Sequence, residues 1–187
     1  MRWDGLFADL EAQLAQSQWQ VTEAEAAEMT RGEWAGISLE DRLRGARGAR
    51  VAVHLEGGER LDMTLSTVGS NWFGGTDGNG SLVVNSASVM TVEGQLASTQ
   101  PEHSVGRRNL GVGSLYRSLS RARAGVVVWG RDGRVLGEGT IDRVGADHFD
   151  VAVHPRDEQR RHRNIRGVKT VPFNAVRLVR SAHASSV

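Results

Sequence analysis

The sequence predicts a mainly β protein with N-terminal α-helices, built from two tandem five-stranded small barrels, each preceded by a short helix. Three observations predict it. The first is an internal repeat: Leu39, Leu43, Val51, Gly57, Thr64, Val68, Gly69 and Phe73 recur 76 positions later as Leu115, Leu119, Val127, Gly133, Thr140, Val144, Gly145 and Phe149. Farther on, Val84, Val89 and Val92 recur 87 positions later as Val171, Val176 and Val179, so the second copy carries 11 extra residues. A fixed-offset repeat implies two copies of one small fold. The second observation is a set of short apolar stretches with alternating faces, and the third is the turn-forming glycines that separate them. The expected organisation is an acidic helical segment over 1–36, a first barrel over 37–94 and a linker over 95–110. The second barrel covers 111–181 with a basic insertion at 155–166, and a tail occupies 182–187.

From Trp3 to about Gly32, Trp3, Leu6, Phe7, Leu10 and Leu14 fall on one helical face, and Thr22 with Glu25 has capping-box spacing for a second helix. Covering one end of the barrels is the expected role of these helices. Ser38-Leu39-Glu40-Asp41 opens the helix of the first repeat, which stops around Gly45 to Gly48. Strands follow at about Arg50 to Leu55, Arg60 to Val68, from Trp72, Ser81 to Asn85 and Val89 to Glu93. Between the third and fourth, Gly74 to Gly80 reads as a glycine-rich hairpin tip. Leu96 to Gly106 reads as an exposed linker. The second repeat begins with a helix near Ser114 to Arg123, then strands at Val126 to Trp129, Val135 to Val144, His148 to His154, Thr170 to Pro172 and Val176 to Arg180. Gly137 and Gly139 inside its second strand imply a strong bend.

Composition excludes several function classes. No apolar run approaches the ~20 residues that cross a bilayer, and the N-terminus lacks a signal-peptide pattern. The chain has no cysteine, so disulfides and thiolate metal sites are excluded. A cytoplasmic protein without membrane partners is expected. The net charge of +1 conceals a gradient: residues 1–46 carry nine acidic and four basic side chains, whereas 155–187 carry eight basic and two acidic. That asymmetry fits nucleic-acid binding by the basic end, or docking of the acidic helices on it. The glycine-rich stretch has no G-x-x-x-x-G-K-[ST] pattern, which excludes a phosphate loop. Six histidines form no H-x-x-x-H or H-E-x-x-H pair, and no nucleophile elbow or catalytic triad order stands out. No cofactor, metal or enzymatic activity is expected.

The second repeat resembles the Sm-like fold, and particularly the bacterial Hfq RNA chaperones. The resemblance is carried by the helix Leu115–Arg123, Val126–Trp129, Asp132-Gly133, Gly137-Glu138-Gly139-Thr140-Ile141, Asp147-His148-Phe149 and Val171 to Val179. It implies SH3-like barrels whose exposed edge strands assemble rings that bind RNA. Asp147-His148-Phe149 matches the family's Asp-Gln-Phe segment, which makes Phe149 a base-stacking residue, with Phe73 its counterpart. The competing reading is that both phenylalanines are core residues of the third strands. The family's Tyr-Lys-His signature meets Pro172-Phe173-Asn174 and Asn85-Ser86-Ala87, and neither copy retains it. The chain as a whole is also similar to a protein group from high-GC actinobacteria, through Met1 to Glu11 and Val144-Gly145-Ala146-Asp147. No helix-turn-helix pattern closes the chain, so a Fis-type regulator is not expected.

The sharpest local feature is the insertion from Pro155 to Arg166, which with Lys169 carries six cations against two carboxylates over fifteen residues. A basic hairpin of this kind neutralises phosphates by releasing counterions. The expected nucleic-acid-binding residues are therefore Arg156, Arg160, Arg161, His162, Arg163, Arg166 and Lys169, with Phe149. The expected function is a non-enzymatic Sm-like nucleic-acid-binding protein, with RNA the expected partner. The alternative is a scaffold that binds a protein partner or itself through barrel edges and the N-terminal helices, since unpaired strands are assembly sites. A homo-oligomer is expected on either reading. Three chains would supply six barrels, and a dimer is equally allowed.

Overall fold

Alternating side chains set the first strands. Along Arg60–Val68 every second residue from Leu61 to Leu65 is buried and those between them are exposed, the period-two pattern of a sheet with one covered face. The computed structural model describes residues 29, 32, 34–104, 111–155 and 164–181. The chain divides into two units, Met1–Ser38 and Leu39–Val187. In the first, Met29, Gly32, Trp34 and Ala35 are helical; the remainder of the expected acidic helices lies outside the described residues, as does the tail.

The second unit contains helix α1 (Leu39–Gly45), strands β1 (Arg50–Leu55), β2 (Arg60–Val68), β3 (Trp72–Asp77), β4 (Gly80–Asn85) and β5 (Val89–Glu93). Helix α2 (Val112–Arg121) precedes β6 (Gly125–Gly130), β7 (Val135–Val144), β8 (His148–Val153), β9 (Gly167–Pro172) and β10 (Val176–Ser181). The protein is mainly β, as expected, but the strands form one continuous antiparallel sheet of ten, in the order β5-β1-β2-β3-β4-β10-β6-β7-β8-β9. Two separately closed five-stranded barrels are therefore not what the strand pairing gives. In neither half does the fourth strand meet the fifth of the same half. Instead β4 pairs with β10, Leu178 opposite Val84 and Arg180 opposite Leu82, while β5 and β9 end the sheet.

The repeat is nonetheless present strand by strand. Leu55 faces Val89 as Gly130 faces Val176, and Trp72 faces Asn85 as His148 faces Pro172. The offset is not gapless, however. His54 faces Arg60 and Trp129 faces Val135, whereas Val53 faces Leu61 and Val128 faces Gly137. Leu136 is thus an extra, bulged residue. The offset is 75 up to Val135 and 76 from Gly137, so Val51 corresponds to Val126 and Gly58 to Gly133. The 11 additional residues lie between Val153 and Gly167, where the first half needs only Gly78 and Asn79.

The expected glycine-rich tip is narrower than the sequence suggests. Gly74 and Gly75 belong to β3, and a Cβ on Gly75 would fall onto the Thr64 carbonyl. Close backbone approach, rather than turn formation, requires glycine there. At the bend of β7, Gly139 adopts φ 149°, and a Cβ would overlap the Ala152 carbonyl.

Two apolar cores lie along the sheet. One joins Leu43, Val53, Met63, Leu65 and Phe73; the other joins Tyr116, Val128, Ile141, Phe149 and Val171. They interlock at the β4–β10 seam, because Leu178 of β10 enters the first core and Trp72 of β3 the second. The start of the expected exposed linker is also packed. Leu96 is buried in the first core, its carbonyl accepts from Arg42 Nε at 2.9 Å, and the Gln100 N–H donates to the Asp41 carbonyl.

Candidate nucleic-acid interface

The basic insertion grows from the open end of the β8–β9 hairpin, where Val153 pairs with Gly167. Arg156, Arg160, Arg161, His162 and Arg163 lie outside the described residues. Its two roots are fixed. The Arg166 N–H donates to the Val153 carbonyl at 2.8 Å, and its side chain is exposed. On the other side His154 is buried. Its Nε2 lies 3.2 Å from Thr140 Oγ1 and its Nδ1 2.8 Å from the Pro155 carbonyl. A fully satisfied buried imidazole anchors the insertion at its base.

Lys169 stands exposed on β9 with its Nζ donating to the Leu136 carbonyl at 2.8 Å. It borders a groove of about 540 Å³ with Asp132, Arg134, Val135, Leu136 and Thr170 among its walls. The Arg134 side chain is 87% exposed. Arg134, Arg166 and Lys169 therefore continue the cationic stretch onto the sheet edge. Between residues 111 and 181 there are fourteen basic and seven acidic side chains, against five and seven between 39 and 94. Charge is segregated between the halves.

Phe149 is not where a base could stack. It is fully buried, with Tyr116 at a ring-centroid distance of 4.6 Å and Phe173 at 6.1 Å. Phe73 is likewise fully buried. The core reading of both phenylalanines is correct: β3 and β8 turn these side chains toward α1 and α2 rather than toward solvent. Phe173 and Asn174, at the position of the missing Tyr-Lys-His signature, form a short 3-10 turn with Ala175, and the Phe173 ring packs on Tyr116 at 5.2 Å. Burial raises the Tyr116 phenol well above its ordinary value, so it stays neutral.

A second cluster, which the sequence did not single out, lies where the halves meet. Arg177 is buried; its Nη1 donates to the Glu56 carbonyl at 2.6 Å and its Nη2 to Glu59 Oε2. Beside it Arg131 grips the Glu56 carboxylate through Nε at 2.9 Å and Nη2 at 2.6 Å. This bidentate bond is the main reason the Glu56 carboxyl titrates below its ordinary value and the Arg131 guanidinium above its own. Farther along the seam Arg180 Nη1 reaches Asp77 Oδ2 at 2.5 Å. The available signal was the corrected repeat: Glu56 and Arg131 are equivalent residues of opposite charge.

Among the described residues no group of three or more His, Cys, Asp or Glu side chains could hold a metal ion, and no helix is long and apolar enough to cross a membrane. Comparisons with protein-family models, curated proteins and solved structures find no match. The chemistry of the residues themselves has to carry the functional reading.

Proposed function

We propose that this chain is a non-enzymatic nucleic-acid-binding protein that takes RNA on the basic edge of its second half. Its two halves are read as small bent-sheet modules of the Sm-like kind, fused through one shared seam, and the cytoplasm is the compartment this reading implies. The observation that carries the proposal is the placement of the 11 extra residues. They enter a hairpin end that is otherwise a two-residue turn, and beside it stand Arg134, Arg166 and Lys169, all exposed. A long cationic segment held at both roots presents charge to phosphates while leaving the sheet undisturbed. With Phe149 in the core, affinity rests on charge rather than on stacking.

The test is binding of a fluorescent single-stranded RNA across a salt series, with wild type and the Arg160→Glu, Arg161→Glu, Arg163→Glu triple variant. The expected result is binding at low salt whose affinity falls as salt rises. Loss of three phosphate contacts should reduce the slope of log K against log salt by about 2. An identical affinity and slope in the triple variant, or no binding by the wild type at low salt, would overturn the proposal.

A further inference from the structure

In the first half, the space beside the first turn and the fourth strand is filled from within the chain. Leu178 of β10 lies opposite Val84 and enters the first core. Next to it the Arg177 guanidinium meets the Glu59 carboxylate. The equivalent space in the second half is the open groove of about 540 Å³ at Val171, the counterpart of Val84. Glu59 is replaced there by Arg134, so the charge at this place is inverted. From this we infer that the groove binds a small organic acid, an apolar body that ends in a carboxylate.

The walls divide into an apolar part and a cationic rim. Val135, Leu136, Val171 and Pro172 supply the apolar part, and Val135 is 51% exposed. The volume falls in the range of about 300–1,000 Å³ typical of small-molecule sites, which combine apolar walls with a few placed polar groups. None of the lining residues is aromatic, so a nucleobase finds no stacking face here. The ligand is therefore distinct in kind from the RNA of the preceding reading, although Arg134 and Lys169 border both sites.

Lys169 supplies the contact to the carboxylate. The β6–β7 register skips the bulged Leu136, and its carbonyl accepts from Lys169 Nζ at 2.8 Å. That bond holds the ammonium across the groove, between β7 and β9. An ammonium has three N–H donors, so two remain for a ligand among the described residues. Charge-assisted bonds to a carboxylate are roughly twice as strong as neutral ones. Arg134 brings a second cation, with its side chain 87% exposed. The acid of the rim, Asp132, is engaged by its own turn. Its Oδ1 accepts from the Arg134 backbone N–H at 3.0 Å, and its Oδ2 lies 3.8 Å from Arg134 Nε. The rim as a whole is cationic, which selects an anionic end group over a cationic one.

The test is a titration of nitrogen-15-labelled full-length protein with decanoate, decyltrimethylammonium and acetate, read from the backbone amide shifts. Decanoate should saturate and move the amides of Leu136, Thr170 and Val171. Decyltrimethylammonium should bind at least tenfold more weakly, and acetate, which lacks the apolar body, should leave these amides in place. Lys169→Glu should reverse the preference between the two ten-carbon chains. Arg134→Glu changes only an exposed side chain and keeps the backbone bond to Asp132, so it reports on binding apart from folding; it should weaken decanoate about tenfold. Absence of saturation by the wild type, shifts confined to other parts of the sheet, or equal affinity for the two chains would overturn the inference. Undiminished decanoate binding by Arg134→Glu would overturn it as well. Nucleic acid is absent from the titration, so its outcome is separate from that of the RNA test.

Discussion

Arg177 offers the sharpest check on how the halves are joined. Replacing it with alanine removes a guanidinium whose side chain is 3% exposed and which donates to the Glu56 carbonyl and to the Glu59 carboxylate. Breaking a buried ion pair from one side costs about 3–5 kcal/mol, because the remaining charge is left uncompensated. Here the Glu59 side chain is 38% exposed and can rehydrate, which moves the expected cost to the low end, about 3 kcal/mol. For a unit of this size that lowers Tm by roughly 6–12 °C. Thermal and urea unfolding of wild type, Arg177→Ala, Glu59→Gln and the double variant form a cycle. Coupling of about 1–2 kcal/mol is expected between groups in direct contact. A single variant costing under about 1 kcal/mol, or losses that simply add, would show that the guanidinium does not hold the seam.

Gly139→Ala should abolish or severely weaken folding, because φ 149° and the Ala152 carbonyl leave no room for a Cβ; a soluble variant with a wild-type melting curve would refute the bend. Acid should act through Glu56. Its folded-state pKa is depressed by Arg131 below the ordinary 4.5, so its contribution to stability is complete above that value and is lost as pH falls through the depressed one. Urea midpoints of wild type and Arg131→Gln should therefore differ at pH 7 and converge toward pH 3, whereas a difference independent of pH would exclude this pair.

Much of the fold was legible because the strands are short, alternating and punctuated by glycine. The edges of β1, β2 and β5 and the site of the insertion follow from pattern alone, since period-two burial fixes which residues face a core. The joining of the halves was not legible. Whether a fourth strand closes on its own fifth strand or on that of its neighbour depends on edge contacts between residues about 95 positions apart, such as Leu178 and Val84, and local alternation is identical in the two cases. The one-residue slip came from Leu136, whose bulge breaks the register without breaking the hydrophobic pattern. Phe149 misled as a site because a third-strand phenylalanine serves equally as platform or core, and only the packing of Tyr116 and Phe173 decides between them. The arginines of the insertion were visible as charge, whereas Arg177 looked like any strand residue until its carboxylate partner was brought beside it.

Duplication creates a pairing problem that the divergence of the two halves resolves. Four edge types could combine in ways the sheet does not use. If β4 of one chain met β5 of another, Glu56 would face Glu56 and Asp77 would face Glu93, by the same equivalences that set the internal seam. If β9 met β10, Arg131 would face Arg131 and Lys169 would sit opposite Arg180. Both arrangements oppose like charges, which costs stability in proportion to their burial. The pairing the chain does use, β4 with β10, opposes unlike charges, Glu56 to Arg131 and Asp77 to Arg180. The seam is specific in shape as well, since Arg177 of β10 reaches Glu59, whose equivalent in the second half is Arg134. Divergence of the two halves thus gives the inner seam a charge pattern that two identical modules could not have.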